Sequence, residues 1–291
     1  MELSWPMKLR IAAAAFIGVL LVGILARQMA EPFARVEAMG TRDAAILVVL
    51  AFVAGLIGYF VSWPFGREIG ILAVPFGLTI WAVRSGSMAG LIQLNPTADQ
   101  RMALVTSLKW EPFFWLAVVS AGYVGVLLGR KLSPSKNQAS QEESKSGPGK
   151  YLNTIIALAC SVAIAQFCIR IVAQDVRASD STLGTVVGQP AIGQIVFAVL
   201  VSFGAAAFVV KKFLNVSYIW PSIASAFVTA FIATIYGREV PYMVQNWPPA
   251  FFSNSVISVL PVQMVAFGTL GSVAGYWMAI RYEYWRKHEI K

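Results

Sequence analysis

Apolar positions in this chain do not alternate with polar ones, nor do they form a single stripe at helical spacing. They gather in long uncharged runs: Ile11 to Ala26, Ala44 to Gly66, Ile69 to Val83, Pro112 to Gly129, Leu152 to Ile169, Ala191 to Val210, Val216 to Tyr236 and Pro261 to Ile280. A bilayer core about 30 Å thick is crossed by roughly 20 helical residues. The pattern therefore predicts an all-α, polytopic transmembrane helical bundle of about eight spans with short loops. No room is left for a large soluble catalytic domain.

Prolines refine the picture. Pro75 predicts a kink or lengthened ends in the third span, Pro112 falls at a natural first-turn position of the fourth, and Pro221 interrupts the seventh. The uncharged stretch from Val240 to Ile280 is too long for one span and holds Pro241, Pro248, Pro249 and Pro261. We place the eighth span at Pro261 to Ile280 and the proline-rich part outside the core. Lys8 and Arg10 precede the first run as they would precede a signal peptide's apolar region. However, Gln28 at the −3 position of a site after Ala30 fits cleavage poorly, so the run is read as a retained span.

Between Arg130 and Lys150 the composition turns to KLSPSKNQASQEESKSGPGK, which has no apolar cluster to bury and predicts a disordered linker. The expected organisation is a first four-helix half over residues 1–131, a cytoplasmic linker over 132–150 and a second four-helix half over 151–291.

Charge supplies orientation. The chain has 23 basic and 14 acidic residues, a net charge of +9. In the eight-span layout, 14 of the basic residues and only six of the acids fall on the side of the termini and the linker. By the positive-inside rule that side is the cytoplasm, with both termini on it, as for a bacterial plasma-membrane protein. The positive charge is dispersed over loop ends, so a nucleic-acid partner is not expected.

Folding the chain at the linker brings like residues together. Arg27-Gln28-Met29-Ala30-Glu31 matches Arg170-Ile171-Val172-Ala173-Gln174, and Gly40-Thr41 matches Gly184-Thr185. Gln93 and Pro96 share a Q-x-x-P spacing with Gln245 and Pro248, while Pro112, Ala117, Gly122 and Val124 match Pro261, Ala266, Gly271 and Val273 at an offset of 149. The order is the same in both halves, at offsets of 143, 144, 152 and 149. This predicts a tandem repeat whose four-span halves enter the membrane in the same direction.

The runs hold little chemistry. Every Asp, Glu, Lys and Arg is expected at a helix end or in a loop, which disfavours charge-coupled transport. Gln166, Gln194, Gln263, Thr79, Ser161 and Thr269 can line a polar path, although hydrogen bonding between helices is the ordinary use of such groups. The one histidine, His288, and two cysteines, Cys160 and Cys168, make no zinc set, and no phosphate-binding loop is present, so neither metal nor cofactor is expected.

What remains is recognition. Arg27, Arg84, Arg170 and Arg238 end spans on the less basic side, where they can meet anionic headgroups or acidic partners, and Gln93 and Gln245 can offer amides beside them. Trp5, Trp63, Trp81, Trp110, Trp115, Trp220, Trp247 and Trp285 suggest an aromatic belt. Glycine spacings at Gly18/Gly23, Gly55/Gly58 and Gly122/Gly125/Gly129 predict close packing between the halves or with a partner. The reading that fits best is a non-catalytic membrane subunit that docks membrane lipids, another membrane protein or a second copy. A permease for a neutral or amphiphilic solute comes second. An enzyme acting on a lipid-linked substrate through Asp99, Glu111 or Glu239 comes third.

Overall fold

The computed structural model describes residues 5–29, 40–133 and 148–288; most of the predicted linker, and residues 30–39, lie outside the described residues. Seven described helices are long and apolar enough to cross a membrane. They are α1 (Trp5–Met29), α2 (Thr41–Val61), α3 (Gly66–Arg84), α4 (Ala98–Leu132), α5 (Pro148–Val172), α6 (Ile192–Leu214) and α7 (Ile219–Asn246). The chain is thus a helical bundle with the make-up of an integral membrane protein. The last predicted span forms α8 (Pro261–His288), which is long enough but less apolar than the other seven. Its composition has a physical reason: Pro261 to Val273 is buried at every position but Leu270, so that stretch faces protein rather than lipid.

The prolines act differently from expectation at three places. The third span does break, with a 3-10 turn at Gly70–Leu72 just ahead of Pro75. Pro112, predicted in a first turn, instead lies inside the 35-residue α4, which spans about 52 Å at about 1.5 Å per residue and so overshoots the bilayer core. The overshoot begins at a capping box in which Thr97 and Gln100 bond each other's backbone N–H groups. Pro221 falls in the first turn of α7 and interrupts nothing; Pro241 is the proline inside that helix. Because α4 and α7 extend past the apolar runs, Lys109, Glu111, Arg238 and Glu239 are helical rather than terminal, contrary to expectation.

The proline-rich stretch is not outside the core. Phe252 and residues 255–260 are buried, as a short strand, a 3-10 turn (Ser255–Ser258) and the lead-in to α8. A small antiparallel sheet, absent from the all-α expectation, joins β1 (Arg177–Asp180), β2 (Gly184–Gly188) and β3 (Phe251–Phe252) in that order. It ties the connection after α5 to the connection after α7.

Helix packing follows the glycines. α2 packs chiefly on α4, and α6 on α8; α1 lies along α3, and α5 along α7; α8 also meets α3, and α7 meets α4. A Cβ on Gly55 would stand 2.0 Å from the Gly122 carbonyl oxygen, and one on Gly271 would stand 2.4 Å from that of Leu200. On α1, a Cβ on Gly18 would fall 1.7 Å from the Ala73 oxygen. These crossings lie within each half, not between the halves as the glycine spacing suggested. Residues Val19–Leu25 of α1 widen into a π-helix, and Trp81 donates its indole N–H to the Val22 carbonyl there at 2.7 Å.

Two tryptophans assigned to the belt belong to the interior. Trp81 and Trp115 are buried with ring centroids 5.8 Å apart, whereas Trp5, Trp63, Trp110 and Trp285 are exposed. The glycine crossings make a direct prediction. Gly55→Ala forces α2 and α4 apart and should lower stability in detergent by about 1–3 kcal/mol. Gly193→Ala, whose Cβ would meet nothing within 4 Å, should leave it unchanged; thermal unfolding of the two variants checks this.

Candidate functional site

The polar chemistry of this fold collects at the rim formed by the ends of α3 and α7 and the starts of α4, α6 and α8. Its centre is a pair of glutamine amides, Gln263 buried and Gln189 half-buried. Gln263, in the first turn of α8, donates to the Ala82 carbonyl at 3.1 Å and the Gly86 carbonyl at 3.3 Å, and accepts from the Leu260 N–H at 3.0 Å. Gln189 accepts from the Ala89 N–H at 3.0 Å and donates to the Ser258 carbonyl at 3.2 Å. Buried non-helical backbone needs such partners. These two glutamines bond the segment between α3 and α4 to the segment between α7 and α8.

Other residues considered for a polar path are similarly engaged. Thr79 bonds the Phe76 carbonyl, Ser161 that of Ala157, and Gln194 that of Val172. Thr269 is buried with no partner for its hydroxyl among the described residues.

A carboxylate clamp holds the hairpin. Asp180 accepts from the Thr182 and Leu183 N–H groups at 2.8 and 2.7 Å, from the Tyr242 hydroxyl at 3.1 and 2.9 Å, and from the Trp247 indole at 2.7 Å. The backbone N–H of Leu183 leads this set in holding the carboxyl down to about 2, with Trp247, Thr182 and Tyr242 adding to it against the cost of desolvation. The sequence signal was the stretch Asp180-Ser181-Thr182-Leu183-Gly184, an acidic turn opener followed by a glycine at φ +75°. Its partners on α7 carried no such signal.

The six predicted contact residues do not form one site. Arg84 ends α3 exposed, and Arg238 is exposed on α7. Gln93 is exposed at the end of a short helix (Met88–Gln93), but Gln245 lies in the last turn of α7, so the two Q-x-x-P segments are different elements. Arg27 is half-buried, and its Nη1 finds no hydrogen-bond partner among the described residues.

Arg170 lines a half-open cleft of about 360 Å³, shared with Phe167, Ile171, Gln174, Arg177 and Thr185. None of Arg84, Arg170, Arg177 and Arg238 has an acid within 4.0 Å among the described residues. The buried arginine is one the sequence did not single out: Arg101, 5% exposed, donates from Nε to the Asn95 carbonyl at 3.1 Å, and lies with Glu239 near the Tyr236 hydroxyl. Glu239 in turn accepts from Ser253, and Glu111 from the Trp115 indole at 2.8 Å. Comparisons with protein-family models, curated proteins and solved structures find no match to this chain.

The clamp has a pH signature. A carboxyl held below its usual value stabilises the hairpin fully above about pH 4 and loses that contribution as pH falls toward about 2. Trp247 fluorescence should therefore change between about pH 4 and pH 2 in the wild type. Asp180→Asn should abolish that step; an unaltered acid transition in the variant would assign the clamp's role to other groups.

Proposed function

We propose that this chain is a non-catalytic docking subunit of a bacterial plasma membrane, with eight spans in two parallel halves, α1–α4 and α5–α8. The observation that carries the reading is the filled seam between the halves. One hydrophobic core runs without a break from Val22 and Leu47 in the first half to Met264 and Phe267 in the second. The amides at that seam, Gln189 and Gln263, are already bonded to protein backbone. A permease needs polar groups free to exchange water for solute; among the described residues Gln189, Gln263, Thr79, Ser161 and Gln194 are engaged and Thr269 is not, while the rim arginines have no acid within 4.0 Å. Recognition at the rim, by acidic residues of a partner or by lipid headgroups, fits this distribution.

Packing supports the repeat. Gly55 and Gly122 approach each other across α2 and α4, as Gly204 and Gly271 do across α6 and α8, and both glycines recur at the offset of 149 that relates Pro112 to Pro261. The contacts of α8 with α3 and of α4 with α7 exchange the same positions between the halves. This is the relation expected of a pseudo-two-fold axis along the membrane normal. Orientation rests on the basic rim. There Arg10 lies 5.8 Å from the Phe65 ring, Lys211 lies 5.5 Å from the Tyr276 ring and Lys212 lies 4.8 Å from the Tyr282 ring.

Two measurements test the proposal. In intact cells, a membrane-impermeant thiol reagent should label Thr97→Cys and spare Ser140→Cys in a Cys160→Ala/Cys168→Ala background; the opposite result reverses the orientation. For docking, the native protein is purified in mild detergent and the recovery of its bound partner protein measured. Arg84→Glu/Arg238→Glu should lower that recovery by roughly tenfold with yield unchanged, because close opposed charges turn to repulsion. Equal recovery from both proteins would remove the rim arginines from the docking surface.

A further inference from the structure

The cleft beside Arg170 has the chemistry of a lipid site. Phe167, Arg170 and Ile171 follow the i, i+3, i+4 spacing of one helical face at the end of α5, and Gln174 stands two residues beyond the helix. α5 is the long apolar helix that buries the least of itself, 22% of its most apolar stretch, and Phe167 and Ile171 are 66% and 53% exposed. That face turns to lipid. Immediately beyond it the β1–β2 hairpin rises, with Arg177 opposite Val187 and Ser179 opposite Thr185, so Arg177 and Thr185 share a face of the ribbon. All six of these side chains line the cleft of about 360 Å³.

We infer that this cleft binds one anionic phospholipid, its phosphate between Arg170 and Arg177 and an acyl chain along Phe167 and Ile171. Guanidinium groups form paired, charge-assisted hydrogen bonds to phosphate oxygens. Thr185 and Gln174 add neutral donors. Asp180 does not pair with either arginine: its oxygens accept from Tyr242, Trp247 and the Thr182 and Leu183 N–H groups. Asp175 is not within 4.0 Å of either arginine. A soluble anion would use the arginines but gain nothing from Phe167 and Ile171. A lipid uses both halves of the cleft, and the hairpin that completes it is pinned to α7 by the Asp180 clamp.

The inference deepens the docking reading and rests on the rim being a recognition surface. The full chain is reconstituted in nanodiscs of phosphatidylcholine containing a minority of phosphatidylglycerol, and the lipids retained on release into the gas phase are counted by native mass spectrometry. The wild type should retain phosphatidylglycerol in excess of its share of the disc. Arg170→Gln/Arg177→Gln should reduce that excess by roughly tenfold, since each basic residue near a membrane surface adds measurably to anionic-lipid attraction. Arg84→Gln/Arg238→Gln should retain it, and millimolar glycerol phosphate in solution should not displace it.

Equal retention by wild type and the first variant overturns the site. Loss in both variants reduces it to general surface charge, and displacement by glycerol phosphate reassigns it to a soluble anion. Both arginines are exposed, so an unchanged thermal midpoint verifies folding of the first variant. Failure of the lipid site would leave partner recovery through Arg84 and Arg238 intact, and failure of partner docking would leave the phosphatidylglycerol excess intact.

Discussion

A backbone that leaves the helix inside a packed core must find its hydrogen-bond partners within the protein, and this fold is arranged around that constraint. Residues 251–260 are largely non-helical and mostly buried, and the chain turns away from the end of α3 at Gly86, with a φ of +82°. Gln189 and Gln263 satisfy the exposed ends of both segments at once. An unmet buried donor or acceptor costs about 1–3 kcal/mol, so the two glutamines fix where α8 can begin relative to α3. The packing of α8 against α3 and the filled core between them follow from that junction.

The spans were legible because bilayer thickness acts as a length filter that composition alone reveals. The ends of helices were not, because a helix that has left the bilayer keeps its hydrogen bonds while its residues turn polar. α4 starts at Ala98, well before the apolar run at Pro112, and the readable signal was the Thr97 to Gln100 capping box. Burial was legible only in part. Trp81 and Trp115 sit near charged residues in sequence and read as interfacial, but they face neighbouring helices. That direction depends on which helices are adjacent, which no local pattern records.

The candidate contacts divide along the same line. Arg170 was marked by its position at the end of a span, whereas Phe167 and Ile171, at helical spacing around it, were not singled out. Arg177 and Thr185 reach the cleft through strands of four and five residues, too short to give a clear alternation. Gln93 and Gln245 shared a spacing but not an environment, since one ends a short helix and the other a long one. Arg101 shows why position at a rim does not decide a role: buried against the Asn95 carbonyl, it organises the start of α4, whereas Arg84 and Arg238 are left to the surroundings.

The modest apolarity of α8 bears on how the molecule is assembled. A segment carrying Gln263, Thr269 and Ser272 among its glycines gains less than its neighbours from transfer into lipid, and α8 meets its compensating surface only when α6 and α3 already stand beside it. Both are synthesised before it. Chain order therefore supplies a preformed protein groove for the last helix, and the placement of α8 is a step of tertiary packing rather than of its own apolarity. A lesion at the α6–α8 crossing would then surface as a failure of biogenesis, with the C-terminal helix left unpacked, before it was ever measured as a loss of stability.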